Sequence, residues 1–195
     1  MAGPCSAGAT VRMLIRYKAW ANASTFRAVM SLPEGEAERA RPTRFGNIVH
    51  TLNHAYVIDD IFRAHLEGRP HGYEARNTPH PPPLTALWQS VQAMDRWYVA
   101  YAERLGDHSL GETVRFEFVG GEAGAMTREA ILLHVVNHGT YHRGFVGDML
   151  YQVPAALPAN DLPVFLRDVF SLEEPADGEH AHRILPLRRD QLHDR

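Results

Sequence analysis

Histidine is the residue type in this sequence with the clearest capacity for chemistry, and its spacing is regular in one segment. Residues 133–144 read LHVVNHGTYHRG, which places histidines at positions 134, 138 and 142. In an α-helix, side chains four residues apart share a face and are separated by about 6 Å of rise. Neighbouring imidazoles can therefore bind one metal ion, whereas the outer two are about 12 Å apart along the axis. The spacing favours His134 with His138 or His138 with His142, and does not choose between them.

A second histidine pair lies earlier in the chain, in the segment HTLNH that contains His50 and His54. Helices that face each other in a bundle can direct ligands into a shared interior site. One imidazole from this segment and two from the later one would give three nitrogen ligands and an open position, which is typical of catalytic zinc. No carboxylate is an obvious fourth ligand. The alternative is that both pairs are ordinary exposed histidines, because HxxxH spacing also arises by chance.

Hydrophobic periodicity predicts an all-α four-helix bundle that could position these pairs. Apolar residues recur at three- and four-residue steps in four long segments, each followed by glycine or proline. The predicted long helices span residues 10–30, 44–66, 84–105 and 127–151, and a short C-terminal helix spans residues 161–170. Residues 1–170 are therefore predicted to form one bundle domain, and residues 171–195 a polar tail or arm.

A small β-hairpin is predicted directly before the fourth long helix. Residues 113–118 alternate between polar and apolar, Gly120 and Gly121 favour a turn, and residues 123–126 can return as a second strand. Thr127 is then predicted to cap the helix through its hydroxyl.

The composition excludes several classes of protein. The 195 residues contain 20 Lys and Arg against 23 Asp and Glu, so the formal charge is −3 and no basic excess favours a nucleic-acid partner. A single cysteine, Cys5, excludes an internal disulfide framework and a cysteine-rich zinc site. The sequence shows no signal-peptide pattern and no apolar stretch of bilayer length, so we expect a cytoplasmic protein with no membrane partner.

Several polar residues outside the two pairs have competing interpretations. Asn53 and Asn137 either orient ligand imidazoles or are ordinary helix amides, and Arg143 either recognises a carboxylate or forms an internal ion pair. Trp20 is predicted to lie in the core. The remaining histidines are predicted to be solvated: His65, His71, His80, His108, His180, His182 and His193.

Four segments in order resemble the DinB-like family. They are YKAWAN at 17–22, HTLNH with the following DDIF at 50–62, NHGTYHRG at 137–144 and DLPVFL at 161–166. The resemblance implies a four-helix bundle that holds a divalent metal, usually nickel or zinc, through three histidines. The positions that match the family's ligands are His54, His138 and His142, whereas His50 and His134 do not match. Phe145 stands where the family commonly has glutamine.

The resemblance also implies a function and an assembly. Related branches are metal-dependent thiol transferases and a thiol-dependent isomerase, and members commonly form homodimers. The working hypothesis is a metal-dependent transferase or hydrolase that activates water or an exogenous low-molecular-weight thiol for attack on an electrophilic small molecule. The alternatives are a non-catalytic metal-binding bundle in stress response and a dimeric scaffold.

Overall fold

A computed structural model of the chain describes residues 7–153, 155 and 158–170, and within them the chain is mostly helical. The elements in chain order are α1 (Ala7–Met30), α2 (Ile48–Glu67), α3 (Leu84–Arg104), α4 (Asp107–Leu110), β1 (Thr113–Glu117), β2 (Ala123–Thr127), α5 (Arg128–Leu150) and α6 (Leu162–Asp168). Helices α1, α2, α3 and α5 are the long ones in this part of the chain. The predicted all-α bundle with a hairpin before its last long helix is confirmed.

The four long helices close a ring around the core. Helix α1 packs against α3 and α5, and α2 packs against the same two helices. The apolar stripe of α3 faces inward as its periodicity predicts. Its buried members are Leu87, Val91, Met94, Tyr98, Tyr101 and Ala102. Helix α6 packs against α1, where its buried Phe165 contacts the rings of Tyr17 and Trp20. Trp20 is half-buried against the core, in line with its predicted packing role.

Helix α2 begins later than its predicted start at residue 44. The side chain of Asn47 accepts a hydrogen bond from the His50 backbone N–H at 2.8 Å and so caps the helix. Gly46 has φ of 78°, a left-handed conformation that ends any helical path through residue 45. Residues 44–46 therefore form a loop, and this places Phe45 beside the interior of the bundle rather than on α2.

The hairpin forms as predicted and leads directly into α5. Thr113 pairs with Thr127 across the antiparallel strands. Gly120 and Gly121 have φ of 111° and 92°, a region that glycine reaches without strain. The Thr127 hydroxyl accepts from the Ala130 backbone N–H at 3.1 Å, which confirms the predicted cap. The one-turn helix α4 before the hairpin was not predicted from the sequence.

The prediction that His65 is solvated is wrong. His65 is only 7% exposed, because β1 folds over α2 and stacks Phe116 on the imidazole at a ring distance of 4.3 Å. Its Nε2 atom is buried and has no hydrogen-bond partner among the described residues. His71 is half-buried, and its Nδ1 accepts from the backbone N–H of Tyr73. His80 and His108 are exposed, as predicted.

Some predicted features lie outside the described residues. They are Cys5, the tail from residue 171 onward, and the histidines at positions 180, 182 and 193. Among the helices that the structure does describe, none is long and apolar enough to cross a membrane.

Replacing His65 with phenylalanine should make the fold less sensitive to acid. Burial, together with the nearby His71, lowers the pKa of His65 from 6.5 to about 4. The unfolded chain therefore binds a proton that the folded chain does not as pH falls below 6.5, and the folded state loses stability. Urea unfolding of metal-free protein at pH 7 and pH 5 measures the effect. The free energy of unfolding should fall by about 2 kcal/mol less between these pH values in His65→Phe than in the wild type.

Histidine 108 offers the matched control for this substitution. Its side chain is 96% exposed, so His108→Phe should leave the pH dependence of stability unchanged. If His65→Phe loses as much stability on acidification as the wild type does, the buried imidazole is not a source of acid sensitivity.

Candidate metal centre

Three histidines converge where α2 faces α5. His54 comes from α2, and His138 and His142 come from successive turns of α5. Their ring centroids are 4.4–5.1 Å apart, and one nitrogen from each ring lies within 4.8 Å of the others. The Nε2 atoms of His138 and His142 are 3.1 Å apart. Two nitrogens that bind one tetrahedral zinc ion are separated by roughly 3.3 Å, so the pair has the spacing that a shared cation requires.

The two neighbouring histidines do not join this group. His134 lies one turn before His138, and its ring packs 4.5 Å from Phe62 and 5.5 Å from His138. His50 is half-buried one turn before His54. Within the described residues, the group whose ligand atoms could hold a metal ion consists of His54, His138 and His142, the set that the resemblance implied.

All three imidazoles are held in their neutral form. Burial, together with the neighbouring imidazoles, lowers the pKa of His138 to about 3. Burial and the nearby His54 lower the pKa of His142 to about 4. Burial also lowers the pKa of His54, with help from the positive charges of Arg44 and Arg76 and against a hydrogen bond to a backbone carbonyl. Neutral imidazole is the form that binds metal, so the ligands need no deprotonation at neutral pH.

A backbone hydrogen bond orients His54. Its Nδ1 lies 2.6 Å from the Arg76 carbonyl oxygen, which can only accept, so Nδ1 carries the proton and Nε2 keeps its lone pair. Such a contact from the non-ligating nitrogen is the usual support of a metal-binding histidine. The carbonyl belongs to the long loop between α2 and α3, which the sequence did not connect with the site.

Asn53 fixes this loop to α2 instead of contacting an imidazole itself. Its amide donates to the Asn77 side-chain oxygen at 2.6 Å and to the Thr78 hydroxyl at 2.8 Å. The Asn77 amide in turn donates to the His50 backbone carbonyl at 3.0 Å. Asn53 is 2% exposed, whereas Asn137 on α5 is exposed. The two asparagines that the sequence treated as equivalent therefore differ: Asn53 supports His54 indirectly, through the loop.

Replacing Asn53 with alanine should weaken metal binding by about threefold to tenfold. The variant frees residues 77 and 78, so the carbonyl that orients His54 is held less firmly, and lost outer contacts of this kind commonly cost about tenfold or more in affinity. A competition titration with a chromophoric zinc chelator measures the effect. Asn137→Ala is the control and should leave the affinity unchanged. Equal affinities for the two variants would exclude this role for Asn53.

Aromatic rings pack against the imidazoles of His54 and His142. Phe45 stacks on His54 at 4.5 Å and meets His142 edge-on at 5.4 Å. Phe145 also packs against His142, at a ring distance of 5.9 Å. The ring of Tyr141, a residue that is 63% exposed, touches both His142 and Phe145. Phe145, the departure from the family pattern, thus places an apolar ring against a ligand. Phe45 carried no signal in the sequence because it lies in a loop.

A buried charged cluster lies behind the site. The Lys18 ammonium is 2.7 Å from an Asp59 oxygen and 2.8 Å from an Asp95 oxygen, and all three residues are at most 6% exposed. The Asn22 amide donates to both Asp95 oxygens. Arg143 donates to the side-chain oxygen of Asn22 at 3.0 Å and is 5% exposed. Arg143 is therefore directed into the bundle and not toward an external carboxylate.

The cluster balances two cations against two carboxylates. Burial opposes the charged form of Lys18, but Asp59 and Asp95 together outweigh it and raise the pKa of Lys18. Burial raises the pKa of Asp59 to about 6, although Lys18 opposes the shift. Gly139 lets α5 approach this cluster, since a Cβ there would lie 3.1 Å from Arg143 Nη1 and 3.6 Å from Lys18 Cε.

Of the three histidines, His138 borders a cleft at the surface. The cleft has a volume of about 330 Å³ and is lined by His134, Asn137, His138, Thr140 and Tyr141. His138 is one of the three neutral imidazoles that converge here. In His54, the hydrogen bond occupies Nδ1, so Nε2 is the nitrogen that can bind a cation. The residues present therefore fit a divalent cation with one face open to a small molecule.

The order of these features along the chain matches a known protein family. The model of the family described as "DinB family" matches residues 7–174. The chain belongs to the DinB family. The curated protein named "Protein DinB" from Bacillus subtilis (strain 168) is 25% identical over 158 residues, which covers 78% of this chain and 91% of that protein. DinB family membership and the three-histidine cluster are together compatible with metal binding.

Proposed function

We propose that this chain binds one divalent cation through His54, His138 and His142, and that the cation is nickel or zinc. The convergence of three neutral imidazoles from two helices carries the proposal. A set of imidazoles without a carboxylate suits these metals better than magnesium or calcium, which prefer oxygen ligands. Between nickel and zinc, availability in the cell decides more than intrinsic affinity does.

We propose further that the site is catalytic and acts on an exogenous thiol or on water. The cleft beside His138 supports this, because a purely structural metal site is closed by protein ligands. A cation held there would supply Lewis acidity and so lower the pKa of water or of a thiol. The chain's lone cysteine is Cys5, far in sequence from the site segments, so the sulfur is expected to come from a small molecule.

The residues around the site have distinct parts in this reaction. The Arg76 carbonyl orients His54, and the rings of Phe45 and Phe145 pack against His54 and His142. The thiol loses its proton to solvent, its sulfur forms a bond to an electrophilic carbon, and the leaving group departs with the bonding electron pair. The overall reaction is a thiol transfer.

Two measurements on untagged protein test the proposal. Elemental analysis should find about one nickel or zinc per chain. Cysteine and glutathione are then offered with chlorodinitrobenzene, and thioether formation should exceed the background rate and fall to background in His138→Ala. Bound metal without turnover would favour the non-catalytic metal-binding alternative. A chain that binds neither nickel nor zinc would contradict the metal site itself.

A further inference from the structure

A small cavity lies between His142 of the metal centre and the buried charged cluster. Its volume is about 20 Å³. His142 lines it from one side, and Lys18, Asn22, Asp59 and Arg143 line it from the other. Asp95 belongs to the same cluster but is not among the lining residues. The cavity thus distinguishes between the two carboxylates that hold Lys18.

Two of the residues that line this cavity carry buried polar atoms without a partner among the described residues. They are Oδ1 of Asp59 and Nδ1 of His142. Asp59 uses its other oxygen, Oδ2, to bind Lys18. His142 directs Nε2 toward His138, which leaves Nδ1 as its ring nitrogen without a partner. Native proteins rarely leave such atoms unpaired, and ordered water is a common partner for them.

The cavity has the size for one water molecule. A water needs about 10–15 Å³ of such space and at least two polar partners. The available 20 Å³ exceeds that minimum. A donor at Nδ1 of His142 and an acceptor at Oδ1 of Asp59 complement the two hydrogen-bonding roles of a single water.

We propose that Asp59 is a positioning residue for the metal centre, acting through one water that accepts a hydrogen bond from His142 Nδ1 and donates one to Asp59 Oδ1. The arrangement fixes the tautomer of His142 so that its Nε2 lone pair faces the cation. It does for His142 what the Arg76 carbonyl does for His54. This inference rests on the proposed metal site.

Lys18 makes Asp59 suitable for this task. It holds the carboxylate at 2.7 Å and keeps the cluster electrically balanced, so an anionic acceptor stays beside the imidazole in a buried place. An ionised acceptor also makes a histidine a stronger ligand than a neutral acceptor does. Lys18 on α1, Asp59 on α2 and His142 on α5 are thus connected through the one water.

Asp59→Asn and Asp95→Asn form a matched pair for the test. Both remove one carboxylate charge from Lys18, but only the first changes a residue that lines the cavity. Zinc affinity from chelator competition should fall about tenfold to a hundredfold in Asp59→Asn and stay within about threefold of wild type in Asp95→Asn. In cobalt-loaded protein, the visible absorption bands should shift in Asp59→Asn alone.

Equal losses of affinity in the two variants, or a loss in neither, would overturn the positioning role and leave the metal site standing. Failure of the wild-type chain to bind zinc would instead contradict the proposed function. If Asp59→Asn does not fold, nuclear magnetic resonance of zinc-loaded wild type decides. The Nδ1 proton of His142 should show a cross-relaxation peak to a long-lived water, and its absence would overturn the inference.

Discussion

Replacing Lys18 with methionine is expected to lower the free energy of unfolding by about 3–5 kcal/mol, because removing one partner of a buried ion pair leaves uncompensated charge behind. Lys18 is 1% exposed and is the direct ionic partner of both Asp59 and Asp95. Methionine fills similar space, so the loss reports charge and not volume. Chemical unfolding at pH 7 measures it.

An exposed ion pair between α1 and α3 provides the control. Arg16 lies 2.6 Å from Glu103, but its side chain is 49% exposed, and Arg16→Met should cost less than about 1 kcal/mol. The deficit of Lys18→Met should also shrink as pH falls toward 5, since protonation removes the unpaired carboxylate charge. Equal losses for the two variants would show that the buried cluster contributes no more than a surface pair.

Replacing His138 with alanine is expected to weaken zinc or nickel binding by roughly a hundredfold to a thousandfold. A structural zinc site contributes about 10–16 kcal/mol over four ligands, so one imidazole accounts for about 2.5–4 kcal/mol. His138 belongs to both of the pairings that spacing left open, so this variant tests the metal site whichever pairing forms it. The shift of the melting temperature on adding metal should disappear in this variant.

His134→Ala is the decisive comparison for that variant. His134 lies on the same helix one turn away and its ring is 5.5 Å from His138, so a general effect of removing a histidine from α5 would appear in both. We expect His134→Ala to retain wild-type affinity within about threefold, because the ring lies outside the ligand group. A larger loss in His134→Ala than in His142→Ala would favour the other pairing.

The sequence predicted the helices and the histidine pairs because both depend on local periodicity. Helical spacing alone placed His138 within reach of either neighbour, and only the family resemblance selected His142 and His54. The start of α2 was predicted wrongly, since apolar periodicity does not show where Asn47 caps the helix. The predicted start at residue 44 also assigned Phe45 to the helix, so its contact with the imidazoles was missed.

The features that surround the metal ligands depend on contacts distant in the chain. The Arg76 carbonyl meets His54 through a loop whose path no local pattern encodes. Lys18, Asp59 and Asp95 did leave a signal, because each interrupts an apolar helix face: Lys18 follows Ile15 by three residues, for example. That signal indicates buried charges, but their pairing follows only from the packing of the helices. Homodimer formation and cytoplasmic location stay predictions.

The most direct test of the three-histidine centre is X-ray absorption spectroscopy at the zinc edge of protein loaded with one equivalent of zinc. We predict three imidazole nitrogens at about 2.0–2.1 Å and one water oxygen as the fourth ligand, with one imidazole fewer in His138→Ala and no change in His134→Ala. A first shell with a single imidazole, or a spectrum that is the same in wild type and His138→Ala, would contradict the assignment.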